Sequence, residues 1–280
     1  MKLEIAINKA FKELKKNNIK TAMLDSELLM SKAINKNREF IILNLKSEIN
    51  EKDYQYFQKL IYERSKGKPI AYLTNKKFFW KYEFDIIENV LIPRPDTEII
   101  IEQVLNIYKN KNKINFLDIG TGSGCILISI LKERKDFLAT GIDISDDALR
   151  ICKINAYKLG VKNRVKLFKS DIDNFSNGKY DLIISNPPYI KNLDLKYLEK
   201  DVINFEPKLA LNGGLDGITK IRKVINKSAE LIKKNGKLIL EIAFNQKEEV
   251  KQLLKNKGFY VNAVIKDLAK NDRCIISTKK

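Results

Sequence analysis

The segment Phe116-Leu117-Asp118-Ile119-Gly120-Thr121-Gly122-Ser123-Gly124, running on into the apolar stretch 125–131, constrains this chain more than any other. A short apolar run that breaks into glycines and resumes as a longer apolar run is a buried strand turning tightly into a helix. The alternation then repeats. Strands are predicted at 114–119, 138–144, 165–168, 180–185 and 237–243, with helices at 125–131, 147–159, 218–233 and 250–257. Alternating strands and helices imply an α/β fold, a doubly wound and mostly parallel sheet. The last two strands, 260–265 and 274–278, leave no room for a helix between them, so they are predicted to form an antiparallel hairpin at the sheet edge.

Residues 1–75 follow a different period. Ile7, Ala10, Phe11 and Leu14 recur at helical spacing, as do Asp25, Leu28, Leu29 and Ala33, and then Asp53, Tyr56, Phe57, Leu60 and Ile61. Gly67-Lys68-Pro69 ends the pattern. The stretch 78–92 is aromatic and β-branched, and Glu88-Asn89 lies between two apolar runs, which reads as a β-hairpin. The expected organisation is a helical bundle over 1–75, a hairpin linker over 76–93 and the α/β domain over 94–280. The bundle carries no chemical motif, and its expected role is to recognise a partner.

Composition narrows the chemistry. The chain has no histidine, which excludes Ser-His-Asp and Cys-His hydrolysis and every mechanism with a histidine base. Its 3 cysteines, Cys125, Cys152 and Cys274, show no CxxC spacing, so neither a zinc site nor a disulfide framework is expected. A reducing, cytoplasmic compartment follows. With 44% apolar and 31% charged residues the chain reads as globular, and no apolar stretch is long enough to span a membrane. Met1-Lys2-Leu3-Glu4 predicts no secretion signal. The net charge of +18 comes from lysines scattered along the chain, so it is read as compositional rather than as a nucleic-acid groove.

Four elements carry chemistry. The glycines of Gly120-Thr121-Gly122-Ser123-Gly124 let the backbone turn and approach a ligand closely. Asp118 before them suits a cationic ligand better than a pyrophosphate. Asp143, 19 residues beyond Gly124 at the end of the next strand, is placed to accept hydrogen bonds from two ribose hydroxyls. Together they favour an adenosyl ligand with a positive sulfonium and no phosphates. Asp171, after the strand at 165–168, is placed to accept from an exocyclic amine, and Ile172 to pack on the ring face. The strongest signal is Asn186-Pro187-Pro188-Tyr189, directly after the strand at 180–185. Prolines fix the backbone and offer only carbonyl acceptors. With the Asn186 side-chain oxygen, those carbonyls hold the two N–H groups of a planar –NH2, and Tyr189 is expected to pack flat against it. Such a nitrogen is a poor nucleophile because its lone pair is delocalised. Two acceptors orient it and push density back onto it, which suits an N-methyl transfer.

With these motifs the chain resembles the PrmC/HemK family, the protein-(glutamine-N5) methyltransferases of peptide chain release factors. The resemblance covers essentially the whole chain. It rests on Ile92-Pro93-Arg94-Pro95-Asp96-Thr97-Glu98, on the loop 120–124, Asp143 and residues 186–189, and on Glu206-Pro207, Ala210-Leu211 and Asn271-Asp272-Arg273. It implies a seven-stranded, Rossmann-like class I methyltransferase domain behind a helical N-terminal domain and a β-hairpin linker. It implies S-adenosyl-L-methionine as cofactor, with S-adenosyl-L-homocysteine as product, held by Gly120 to Gly124, Asp143 and Asn186; Asp118, Asp171 and Ile172 join them on the reading of the residues above. It implies that Asn186, Pro187, Pro188 and Tyr189 hold the substrate glutamine of a Gly-Gly-Gln motif in a class 1 release factor, in translation termination. The family often has an aromatic residue where Ile172 stands. Two alternatives share this chemistry: a glutamine of a ribosomal protein, and the adenine-N6 amine of DNA or RNA. A monomer with no stable nucleic-acid partner is expected.

Overall fold

A computed structural model of the chain describes residues 1–111 and 113–280 and divides them into two compact units. The first comprises Met1–Lys76 with Glu199–Phe205, and the second Lys77–Leu198 with Glu206–Lys280.

The first unit is built from α1 (Leu3–Lys16), α2 (Ala22–Ile34), α3 (Arg38–Leu43), α4 (Glu51–Ser65) and α5 (Ile70–Thr74). Asparagines start two of them. The Asn37 side chain accepts from Phe40 N at 2.9 Å and that of Asn50 from Asp53 N at 2.8 Å, each satisfying an amide the helix leaves free. The helical apolar stripes converge as expected: Leu14, Leu29, Met30 and Phe57 are almost fully buried in one cluster. A buried ion pair crosses this core, with Arg64 Nε 2.7 Å from Asp25 Oδ2.

All but the first residue of β1 (Lys76–Phe79) belongs to the second unit, where it pairs with β2 (Tyr82–Asp85) as a two-stranded sheet. The hairpin is therefore tighter and earlier than the sequence suggests. Its turn is Trp80-Lys81, with Trp80 at φ 57°, and Glu88-Asn89 lies beyond it in a separate turn. Trp80 tolerates that backbone because its N–H donates to Glu98 and its indole Nε1 to Glu133, at 2.7 and 2.9 Å. A 3-10 turn, Pro95–Thr97, then leads into α6 (Glu98–Ile107).

The remaining elements follow in order: β3 (Asn115–Ile119), α7 (Cys125–Glu133), β4 (Leu138–Asp143), α8 (Asp146–Lys158), β5 (Val165–Lys169), β6 (Tyr180–Ser185), β7 (Ile190–Lys191), α9 (Lys200–Phe205), α10 (Lys208–Leu211), β8 (Asn212–Gly214), α11 (Thr219–Leu231), β9 (Ile232–Glu241), α12 (Lys247–Asn256), β10 (Phe259–Lys266) and β11 (Asp272–Lys279). Of these, α9 groups with the first unit.

The main sheet has seven strands in the order β10-β11-β9-β6-β3-β4-β5. The strands β9, β6, β3, β4 and β5 run parallel, while β11 is antiparallel to both β9 and β10. The closing hairpin thus sits at the edge with β10 outermost. From β3 the chain winds outward to β4 and β5, then returns to place β6 on the other side of β3. The crevice beyond the carboxyl ends of β3 and β6 is therefore the switch point, where open α/β sheets bind ligands. The fold is the class I methyltransferase fold. Among the described residues, no helix is long and apolar enough to cross a membrane.

Candidate functional site

The sheet brings the two strongest motifs together. Ile119 on β3 pairs with Ser185 on β6, so the loop 120–124 and the loop 186–189 leave neighbouring strands at the same level. Ser185 Oγ donates to Ile119 O at 2.7 Å and ties the two strand ends. Between them opens a cavity of about 240 Å³.

The glycine loop forms one wall. Gly120 N and Thr121 N both donate to Ile142 O, at 2.9 and 3.0 Å, which folds the loop over the end of β4. Gly124 caps α7 at φ 80°, and a Cβ there would lie 2.6 Å from Cys152 Sγ, so only glycine lets α7 pack on α8. A Cβ at Gly120 or Gly122 would meet nothing within 4 Å, so these two face open space.

Asp143 stands at the end of β4 and lines the same cavity. Its Oδ2 accepts from Gly122 N at 2.9 Å and its Oδ1 from Ser145 N at 3.0 Å. Burial raises its pKa against the pull of these amides. The arrangement separates ligand classes. A pyrophosphate needs the loop amides as donors, but the Gly122 N–H already serves a carboxylate that would repel it. A diol, which donates to a carboxylate, fits. Ser170, Asp171 and Ile172 continue this wall. Asp171 caps a 3-10 turn, accepting from Asp173 N at 3.1 Å, and Ile172 packs partly buried against the main core.

Asp118 lies elsewhere than its motif suggests. It is fully buried behind the loop and does not line the cavity. Its Oδ2 accepts from Thr121 Oγ1 at 2.9 Å, and its Oδ1 makes no hydrogen bond of ordinary geometry among the described residues, although the Leu127 amide lies near enough to stabilise the charge. Burial, with the nearby Asp143 adding to it, pushes its pKa up to about 7. An unpartnered buried carboxyl oxygen is costly, and it sits beneath the loop that would face a cationic ligand. The open space at Gly120 and Gly122, the diol-ready Asp143 and this unpartnered acid together fit an adenosyl sulfonium ligand.

The opposite wall comes from Asn186, Pro187 and Pro188. Asn186 Nδ2 donates to Thr97 Oγ1 at 3.0 Å, which leaves the carbonyl end of its carboxamide for a ligand. Tyr189 is not part of the lining. It is half-buried, its ring packs on the main core, and its hydroxyl donates to Glu241 Oε1 at 3.2 Å. Burial raises the pKa of that hydroxyl, and the Glu241 charge adds to the effect. Pro207, Leu209 and Ala210 close the cavity, and Arg94, also in the lining, holds them through Glu206, whose Oε1 lies 2.5 Å from Arg94 Nη2.

Several contributors have roles that the sequence does not assign. Thr97, which orients Asn186, stands 89 residues away in the chain. Asn155 on α8 supports the glycine loop by donating to Ser123 O at 3.0 Å. The run Asn212-Gly213-Gly214-Leu215-Asp216-Gly217 gave a visible signal, three glycines in five residues. A Cβ at Gly213 would lie 2.8 Å from the Tyr189 backbone, so this glycine lets β8 press against the 186–189 loop.

Residues 110–278 match a family described as a methyltransferase domain, and residues 6–74 match one described as the PrmC N-terminal domain. The release factor glutamine methyltransferase of Clostridium acetobutylicum is 38% identical, over 100% of this chain and 99% of that protein. The release factor glutamine methyltransferase of Buchnera aphidicola subsp. Schizaphis graminum is 36% identical over 100% of both. Among solved structures, a methyltransferase from Pyrococcus furiosus superposes with a TM-score of 0.53 at 18% identity, covering 70% of this chain and 88% of that one. At that identity the likeness concerns the fold alone.

Proposed function

The chain belongs to the family of release factor glutamine methyltransferases, and on that premise we propose that it methylates the side-chain nitrogen of the Gly-Gly-Gln glutamine in class 1 release factors. The observation that carries this reading is the pairing of Asn186 with Thr97. It occupies the donor end of the carboxamide of a residue that lines the same cavity as Gly120, Gly122 and Asp143, which supports its oxygen serving as the acceptor for a ligand.

Bound S-adenosyl-L-methionine supplies an electrophilic methyl group on a sulfonium. Asp143 would hold its ribose hydroxyls, and Asp171 and Ile172 its adenine. Gly120 and Gly122 offer a surface without side chains. Asp118 would stand below the sulfonium, linked to the loop through Thr121 rather than by contact, and a bound cation would favour its ionised form. Asn186 Oδ1 and the backbone carbonyl of Pro187 accept the two N–H groups of the substrate carboxamide. This holds the amide plane and raises electron density at its nitrogen. On transfer the S–CH3 bond would break to leave S-adenosyl-L-homocysteine as a neutral thioether, and the methylated nitrogen, acidic at that moment, would pass one of these held protons to water, so no strong base is required. Pro188 keeps the loop rigid, and Tyr189 braces it from outside the cavity. Glycines flanking the glutamine let a substrate backbone enter a narrow opening.

The residue 1–75 bundle is assigned to holding the release factor, as a monomeric enzyme acting in the cytoplasm. The test is a panel of release factor, ribosomal proteins, DNA and tRNA incubated with methyl-labelled cofactor. Label in the release factor alone is expected. Label in a ribosomal protein or a nucleic acid, with the release factor unlabelled, would overturn the assignment.

A further inference from the structure

Behind the 186–189 loop lies an acid that neither the cofactor wall nor the acceptor wall uses. Glu241 ends β9, next to Leu240, which pairs with Ser185 at the root of the loop. Its exposure is 1%, and its Oε1 accepts from the Tyr189 hydroxyl at 3.2 Å. The Thr97 hydroxyl that receives Asn186 Nδ2 lies near enough to stabilise the Glu241 charge, although Oε2 makes no hydrogen bond of ordinary geometry. Arg273 and Asp96 flank the carboxyl, and Cys274 pairs with it across β11. Five residues on, Gln246 Nε2 donates to Tyr189 O and to Gly217 O, each at 3.0 Å. One corner of the sheet thus grips the tyrosine by both its ring hydroxyl and its backbone.

A buried carboxyl with an unpartnered oxygen is unfavourable for folding, and an apolar side chain there would cost less. We propose that Glu241 is a positioning residue for methyl transfer, holding the last residue of the 186–189 loop through the Tyr189 hydroxyl and standing beside the Thr97 hydroxyl that receives the first. The inference rests on Asn186 being the acceptor clamp. It gives the clamp an anchor outside the cavity, hydrogen-bonded to Tyr189 and next to the Thr97 hydroxyl that holds Asn186. Loosening that anchor misaligns the carboxamide acceptors without touching the cofactor wall.

The Asn186 side-chain amide reports on this directly. Its nitrogen and proton resonances can be assigned in 15N-labelled protein by their loss in Asn186→Ala. Glu241→Ala is expected to shift or broaden them, and Glu241→Gln, which keeps an acceptor oxygen, to do so less. In turnover, Glu241→Ala is expected to lower kcat by about 100-fold, the scale for a lost preorganised contact. KM for release factor and Kd for S-adenosyl-L-methionine should stay within about threefold, and Glu241→Gln should restore about tenfold of the loss. Unmoved Asn186 resonances in a Glu241→Ala protein that still binds one equivalent of cofactor would overturn the proposal. If Glu241→Ala does not fold, Tyr189→Phe and Thr97→Val remove the two arms from their other ends. Coupled losses, differing from additivity by about tenfold, are expected for that pair, and additive losses would overturn it. The resonances read the anchor whatever the acceptor is. Failure of the unmodified enzyme to methylate release factor would instead refute the function.

Discussion

Replacing Asp143 with Ala removes the one carboxylate that both lines the cavity and is gripped by the glycine loop. Its two oxygens accept from Gly122 N at 2.9 Å and Ser145 N at 3.0 Å, so it is held in place before any ligand arrives. Each carboxylate oxygen keeps a lone pair for a ribose hydroxyl. A hydrogen bond to a charged group is worth ~1.5–3 kcal/mol, which corresponds to a rise in Kd for S-adenosyl-L-methionine of roughly 10- to 150-fold. Asn is no remedy. Its –NH2 would face either Gly122 N–H or Ser145 N–H, donor against donor, so Asp143→Asn should bind about as weakly as Ala. The pH dependence has a definite sign. Burial raises the Asp143 pKa, so the carboxylate takes up a proton at a higher pH than an ordinary one. The protonated acid has one acceptor fewer, so affinity should fall on acidification from neutral, and Asp143→Asn should flatten that fall. Isothermal titration calorimetry at several pH values measures both effects. A Kd within twofold of the parent for Asp143→Ala would show that the ribose is held elsewhere.

Other perturbations follow from the same geometry. Asn186→Ala should cut methyl transfer by ~100-fold or more while moving Tm by less than about 2 °C, because the side chain ends at a cavity rather than in the core; steady-state kinetics beside a melting curve checks it. Gly124→Ala forces a Cβ to 2.6 Å from Cys152 Sγ at a positive φ, and denaturant unfolding should show a loss of about 1–3 kcal/mol. Asp118 in the folded protein keeps its proton up to a pKa of about 7, whereas the unfolded chain releases it near pH ~4. Its contribution therefore falls as pH rises between those values, and Asp118→Asn should flatten this part of the stability curve. Arg64→Ala leaves Asp25 buried without its partner, and urea melts should show the bundle weakened by ~3–5 kcal/mol.

Much of this is legible in the sequence, for physical reasons. The runs at 114–119 and 180–185 are apolar on both faces because both faces of a parallel strand are covered, and both strands fall where the sequence puts them. The glycine loop and the 186–189 loop each announce themselves by residues that only a special backbone requires. What stayed hidden depends on distance or on short range. Residues 98–107 carry no clear helical signal, because Ile99-Ile100-Ile101 is a β-branched run inside what is α6. The short α3 and α5 have too few turns for a period to show. The hairpin turn was misplaced because Glu88-Asn89 is better turn chemistry than Trp80-Lys81, and contacts to Glu98 and Glu133 outweigh that preference. Asp118 looks like a ligand contact in the sequence, since strand-end position does not reveal whether a side chain points at the cavity or beneath the loop. Thr97 lies in a segment that the family resemblance marks, but nothing there says that it meets a loop 89 residues on, and Glu241, 52 residues from Tyr189, has no local mark.

The decisive measurement is a peptide mass spectrum of release factor after incubation with the enzyme and S-adenosyl-L-methionine. One added methyl group is expected, localised to the glutamine of the Gly-Gly-Gln motif. It should be nearly absent when that glutamine is replaced by Asn, whose nitrogen stops one methylene short. A methyl group on any other residue, or equal methylation of the Asn variant, would contradict a clamp built from Asn186, Pro187 and Pro188 around a glutamine carboxamide.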